Sequence, residues 1–163
     1  MTLAMEQTTQ ALRSLLIPFQ GGRAIVPNSI VVQVLPFATP LRVENAPPWV
    51  VGAMLWRART IPLVSLGRLI HEADAEPGGS AHARIVVVHT LGDDPNLPNF
   101  GILATDIPHL LNNLSREDVV PDGSAMGALP EGILNRARIK GEAAIIPDLD
   151  AIEVVLRRVM TGR

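Results

Sequence analysis

GAMLWRARTIPLVSLGRLI, residues Gly52 to Ile70, decides how the rest of this chain is read. Two apolar runs flank a short break that carries Arg57 and Arg59, and the second run ends at Ser65 ahead of a short apolar segment. The pattern predicts a β-hairpin with its tip near Arg57–Arg59, followed by a helix over Leu66–His71 that Ser65 caps. Pro62 interrupts the second strand, so that strand is expected at a sheet edge or at a bulge. Trp56 is ambiguous, because VVGAMLW is apolar on both faces. Turned inward it is core; turned outward it is an interface anchor. Arg57 is a solvated hairpin residue, a salt-bridge partner of a local acid such as Glu44, or a contact for another protein.

Working outward, Val and Ile fill runs of strand length. SLLIPFQGGRAIVPNSIVVQVLPF reads as strand, turn at Gly21–Gly22, strand, break at Pro27–Asn28, and strand. ATPLRVENAPPW is a Pro-rich loop, and a strand starts only after Pro47 and Pro48, near Val50. EADAEPGGSAHA reads as a flexible linker. ARIVVVHTLG is a strand buried on both faces, and FGILATDI is its partner. The region from Pro108 to Gly132 reads as an irregular crossing. ILNRARIKGEAAIIPDL is a further hairpin, and DLDAIEVVLRRVM is a helix, with Ile152, Val155, Leu156 and Val159 at helical spacing and Asp148 or Asp150 as cap. The two hairpin–cap–helix stretches resemble each other, each with Arg-Ala-Arg and Ile-Pro, and Pro62 and Pro147 stand 85 residues apart. Two similar small β-units, each closed by a helix, explain that repeat.

Composition limits the chemistry. The chain has 163 residues, 47% of them hydrophobic and 18% charged, with a net charge of −2. That supports a folded core and gives no electrostatic reason for nucleic acid or an anionic membrane. With aromatics at 3% and no Tyr, base stacking has little to work with. No cysteine is present, which removes disulfides, thiolate metal sites and cysteine nucleophiles. His71, His82, His89 and His109 share no ligand spacing, and His89 reads as either a surface residue or a core histidine. Gly92–Asp94 and Asp148–Asp150 look like turn and cap chemistry rather than a cation site. Ser65 and Ser124 lack a nucleophile elbow, and no phosphate-cradling loop occurs. No cofactor, metal or catalytic centre is expected. Lys140 is the one lysine among 14 basic residues, and this arginine bias suits planar interface contacts or reflects a GC-rich genome. The N-terminus has no signal-peptide pattern and no apolar run reaches membrane-spanning length, so a soluble cytoplasmic protein is expected.

One segment carries a resemblance. PPWVVGAMLWRARTIPLVSL, Pro47 to Leu66, is similar to the signature of the CheW family, the coupling proteins of bacterial chemotaxis arrays; Gly52, Arg57, Pro62 and Leu66 keep the family's residue types. The opening strands, ARIVVVHTLG with FGILATDI, and DLDAIEVVL resemble other parts of that family. Leu55, Trp56, Ala58 and Ser65 depart from its pattern, and the run W-x-x-G-x-x-x-W-R resembles the branch in type IV pilus chemosensory systems (ChpC/PilI-like). The resemblance implies a mainly β protein, two small five-stranded SH3-like β-barrel subdomains packed together, with short helices and a C-terminal helix. Residues 1–13 are expected as a flexible N-terminus, 14–72 as subdomain one, 73–82 as linker and 83–163 as subdomain two, with strand exchange between the barrels. It also implies a non-enzymatic adaptor between methyl-accepting receptors and a CheA-type histidine kinase, at receptor arrays on the inner face of the membrane. The receptor tip would lie in the groove between barrels, and an end of the second barrel would meet the kinase. By position, Val32, Gly52 and Arg57 fall on the partner side, and Trp56 joins them as this chain's own variation. Alternatives are a β-module that oligomerises through edge strands and, with less support, a small-ligand barrel.

Overall fold

The Val- and Ile-rich runs become strands, and their pairing follows the alternation of buried faces. The computed structural model describes residues 12–71, 81–92, 94–114, 117–121, 129 and 131–161. In chain order these form β1 (Leu12–Phe19), β2 (Gly22–Pro27), a 3-10 turn (Asn28–Ile30), β3 (Val31–Pro36), β4 (Val50–Trp56), β5 (Arg59–Val64) and α1 (Leu66–His71). They continue as β6 (Arg84–His89), β7 (Asn99–Ala104), β8 (His109–Leu114), β9 (Val119–Pro121), β10 (Ile133–Ile139), β11 (Glu142–Pro147) and α2 (Leu149–Thr161). The region expected as an irregular crossing thus supplies β8 and β9. Strand β1 begins at Leu12, inside the expected N-terminal tail; residues 1–11 and most of the expected linker lie outside the described residues.

Two sheets result, ordered β8-β1-β2-β11-β10-β9 and β3-β6-β7-β5-β4. Each contains the same device. An antiparallel hairpin followed by a helix (β4–β5–α1, or β10–β11–α2) docks in parallel, through its second strand, onto another antiparallel hairpin (β6–β7, or β1–β2). The chain is therefore a repeat whose leading hairpins are exchanged: β1–β2 joins the strands of the second half, and β6–β7 joins those of the first. The expected cut at 73–82 separates the repeats, but neither sheet respects it. The repeat is also offset from the sequence match. The turns at Arg57 and Lys140 and the caps at Ser65 and Asp148 are each 83 positions apart, so Pro62 and Pro147 are not equivalents. Both caps work as expected: Ser65 Oγ accepts from the Arg68 amide and Asp148 Oδ1 from the Ala151 amide.

Side chains sort into three cores. Along β6, Ile85 and Val87 face the inside of the five-stranded sheet with Trp56, Ile61, Leu63 and Leu103. Val86 and Val88 face the other way, into a central layer shared with Leu15, Ile17, Phe19, Phe100, Ile152 and Leu156. The six-stranded sheet encloses a smaller core of Ile25, Leu114, Ile139 and Ala144. Strand β6 is thus buried on both faces, as its continuous apolar run predicts. Pro62 is not at an edge, since β5 lies between β7 and β4, and the bulge of the β4–β5 pair falls next to it, at Val50–Gly52 opposite Leu63 and Val64. Its opposite residue, Ala53, gives both backbone groups to Leu41 on the far side. The Ala53–Pro62 pair is consequently of the non-hydrogen-bonded kind, and the missing N–H of Pro62 faces a stretch before the β7 ladder begins at Leu63.

Helix α2 also carries a group that the apolar spacing does not reveal. Glu153 is fully buried, and its two carboxylate oxygens accept the Leu91 and Gly92 amides at 2.8 and 2.9 Å. The loop between β6 and β7 is tied to the closing helix by these two charge-assisted bonds; Arg157 stands 3.9 Å from the same carboxylate. Glu153→Ala leaves both amides unpaired and is expected to cost about 2–4 kcal/mol, with Glu153→Gln costing less because one acceptor oxygen remains. Thermal unfolding followed by circular dichroism checks this, and an unchanged Tm in Glu153→Ala refutes the clamp. The exchanged hairpins give a second expectation: after cleavage at a protease site engineered into residues 73–82, the two pieces co-elute on a sizing column. Separate elution under native conditions is the contrary result.

Candidate functional site

The hairpin of β4 and β5 turns through Arg57 and Ala58, with Trp56 paired to Arg59 on either side. Both turn residues have positive φ, 47° and 62°, as a two-residue type I′ turn requires. Such turns favour Asn-Gly, and each non-glycine residue in the left-handed region costs on the order of 1 kcal/mol. The turn at Lys140–Gly141 has the same geometry with a glycine in its second place. Arg57–Ala58 therefore holds an uncommon, strained pair at a solvent-exposed tip.

Trp56 turns inward. It is 9% exposed and belongs to the core of the five-stranded sheet, which settles its orientation against an outward anchor. Its Nε1–H donates to Gln33 Oε1 at 3.1 Å, although β4 and β3 lie at opposite ends of that sheet. The sheet is thus rolled until its two edge strands touch through side chains, and the outer edge of β4 is further covered by a backbone bridge between Leu41 and Ala53. One ring face of Trp56 is taken by Arg57, whose guanidinium carbon stands 4.4 Å from the ring centroid. That distance is cation–π contact. Arg57 itself is exposed and makes no hydrogen bond or ion pair among the described residues, so of its alternatives the salt bridge to Glu44 is not formed and the side chain is solvated. Arg59 donates instead to the Pro95 carbonyl at 3.1 Å.

Val32 lies on β3 beside Gln33, half-buried at a register shift between Val31 and Gln33, and packs against the same core as Trp56. The structure so gathers Val32, Trp56 and Arg57 around the rolled edge, with Gln33, which sequence inspection missed because a polar residue on an apolar strand gives no sign of its partner. Gly52 sits on β4 but does a different job. It is buried with φ +148°, and a Cβ there would overlap the Leu41 carbonyl and Pro40. Its role is to let residues 40–41 approach the strand.

The remaining candidates stay apart. His82, His89 and His109 are exposed, which removes the core role for His89. Asp94 accepts from the Asn96 amide as a turn residue, and among the described residues no group of acids and histidines is placed to hold a metal. No helix among them is long and apolar enough to cross a membrane. A polar groove lined by Arg42, Glu44, Asn45, Pro48 and Arg68 and a small apolar cleft lined by Trp49, Leu69 and Ile152 lie elsewhere on the surface. Gly52→Ala is expected to destabilise the fold by about 2 kcal/mol or more, through strain and loss of the Leu41–Ala53 bridge. Thermal unfolding measures it, and a wild-type Tm removes the close approach as the reason for glycine.

Comparison with known proteins agrees with this architecture. The structure is similar to the scaffolding protein TtCheW from Thermoanaerobacter tengcongensis, with a TM-score of 0.68, 15% sequence identity and 86% of each chain covered. At that identity the likeness speaks for the fold alone. No curated protein matches the sequence. The CheW-like domain profile matches residues 13–154. With nearly the whole chain matched and the two-sheet fold shared, this protein belongs to the CheW-like domain family.

Proposed function

We propose that the protein is a non-enzymatic adaptor in bacterial chemosensory signalling, coupling methyl-accepting receptors to a CheA-type histidine kinase in the cytoplasm. The observation that carries this reading is Arg57. A strained turn presents its guanidinium over an indole, at an exposed tip, with no acceptor among the described residues. A protein folding only for stability gains little from such a residue, since an exposed cation–π contact is worth about 0.5–1 kcal/mol and a left-handed Arg-Ala pair costs more. A partner contact accounts for it, and family membership supplies the class of partner. Val32 and Leu55, the latter 68% exposed, extend the contact around the hairpin. Trp56 contributes from beneath Arg57, and Gly52 through the shape of the edge. Departures from the family pattern at Leu55, Trp56 and Ala58 favour the pilus-linked branch and twitching motility over flagellar chemotaxis.

A second reading, self-association, draws on the outer strands β8 and β9. They end the six-stranded sheet with exposed Leu110 and Val120, and unpaired edges are templates for strand addition. Pull-down of the purified protein with the host's CheA-type kinase and a receptor cytoplasmic fragment separates the two. Saturable binding that Arg57→Glu reduces at least about tenfold, with the Tm within a few degrees of wild type, is the expected outcome. Absence of binding to both, together with a concentration-dependent dimer on a sizing column, supports the second reading instead.

A further inference from the structure

We infer that Gln33, Trp56 and Arg57 form one preset acceptor site for a carboxylate side chain of the protein partner, with Gln33 and Trp56 as positioning residues. This rests on the adaptor reading above and names the chemistry of its contact. The guanidinium carbon stands over the indole, 4.4 Å from its centroid, and the side chain is exposed, so its N–H donors stay open to solvent. Planar forked donors match the two oxygens of a carboxylate, and lysine cannot reproduce that geometry. The indole is itself held. Its body is packed in the core beside Ile61 and Leu63, and its one polar atom is fixed by Gln33 Oε1 from the strand at the other end of the sheet. The guanidinium thus rests on a fixed platform, which reduces the ordering cost at binding. Leu55 and Val34, 68% and 40% exposed, follow the same hairpin and strand, so the occupant is an acidic residue set among apolar ones. Charge alone does not distinguish this tip. Lys140 occupies the same place in the equivalent turn, also exposed, but follows Ile139 and has no aromatic platform.

The test is calorimetric titration of the receptor cytoplasmic fragment, and separately of the kinase, into full-length variants. Arg57→Lys is expected to weaken binding at least about tenfold although the charge is kept. Gln33→Ala, a surface change, weakens it about twofold to fivefold, and adding Trp56→Phe to Gln33→Ala costs less than the two losses multiplied, because both remove one bond. Lys140→Glu leaves affinity unchanged. Replacing single Asp or Glu residues of the receptor tip by Arg restores binding to Arg57→Glu at one position. Wild-type affinity in Arg57→Lys, or equal losses in Lys140→Glu and Arg57→Glu, overturns the site while leaving the adaptor reading intact. No binding of wild type to either partner fails the adaptor reading itself. Independently of any partner, in a Trp49→Phe background the emission of Trp56 moves to longer wavelength in Arg57→Ala, as its face becomes wet; no movement overturns the platform.

Discussion

The fold depends on one constraint, that strand β6 has core on both sides. Ile85 and Val87 fill the rolled five-stranded sheet, while Val86 and Val88 fill the layer between the two sheets, and all four are fully buried. Burial of such side chains is worth about 1.5–3 kcal/mol each, and a slip of one residue would send every one to the opposite core. Register in β6 is therefore fixed twice over, and it fixes its partners. On β7, Phe100 and Ile102 face the central layer, while Gly101 leaves room on the other face for Leu63 and Ile85. Strand β5 then docks in parallel, β4 follows, and Trp56 is carried to within reach of Gln33.

The exchange of leading hairpins turns two small units into one body. Each sheet borrows two strands from the other half, and the central layer draws side chains from β1, β2, β6, β7 and α2. Neither half retains a complete core alone, which is how a repeat of modest sheets reaches the stability of a larger domain. Glu153 adds a polar tie to this layer by holding the β6–β7 loop against the last helix. That loop in turn meets the hairpin through Arg59 and the Pro95 carbonyl. The Arg57 hairpin tip is thus braced on one side by the rolled edge and on the other by a loop anchored to α2.

The two hairpin tips build one backbone turn from different residues. Lys140–Gly141 is an economical type I′ turn, and Arg57–Ala58 is the same turn built from residues that resist it. Departures from local preference are expected where function rather than stability selects the residue. The difference lies in what precedes each cation, Ile139 in one case and Trp56 in the other.

Much of this was legible in the sequence. Alternation, turn residues and caps determined the strands from Ser14 to Val64, both helices, the doubly buried run at Arg84–His89 and the hairpin that carries Arg57, because these follow from contacts within a few residues. The Pro47–Leu66 signature pointed to the family. Only the tertiary structure decided which hairpins pair, since exchange between halves is a long-range choice that leaves local patterning unchanged. It also moved Pro62 from an expected edge to an interior strand, added β8 and β9 to an apparent crossing, and turned Trp56 inward. The same holds for Gln33 and Glu153. A single polar residue in an apolar strand or helix does not announce its partner, and the Nε1–H of Trp56 and the amides of Leu91 and Gly92 are brought to them only when the sheet rolls and the last helix closes.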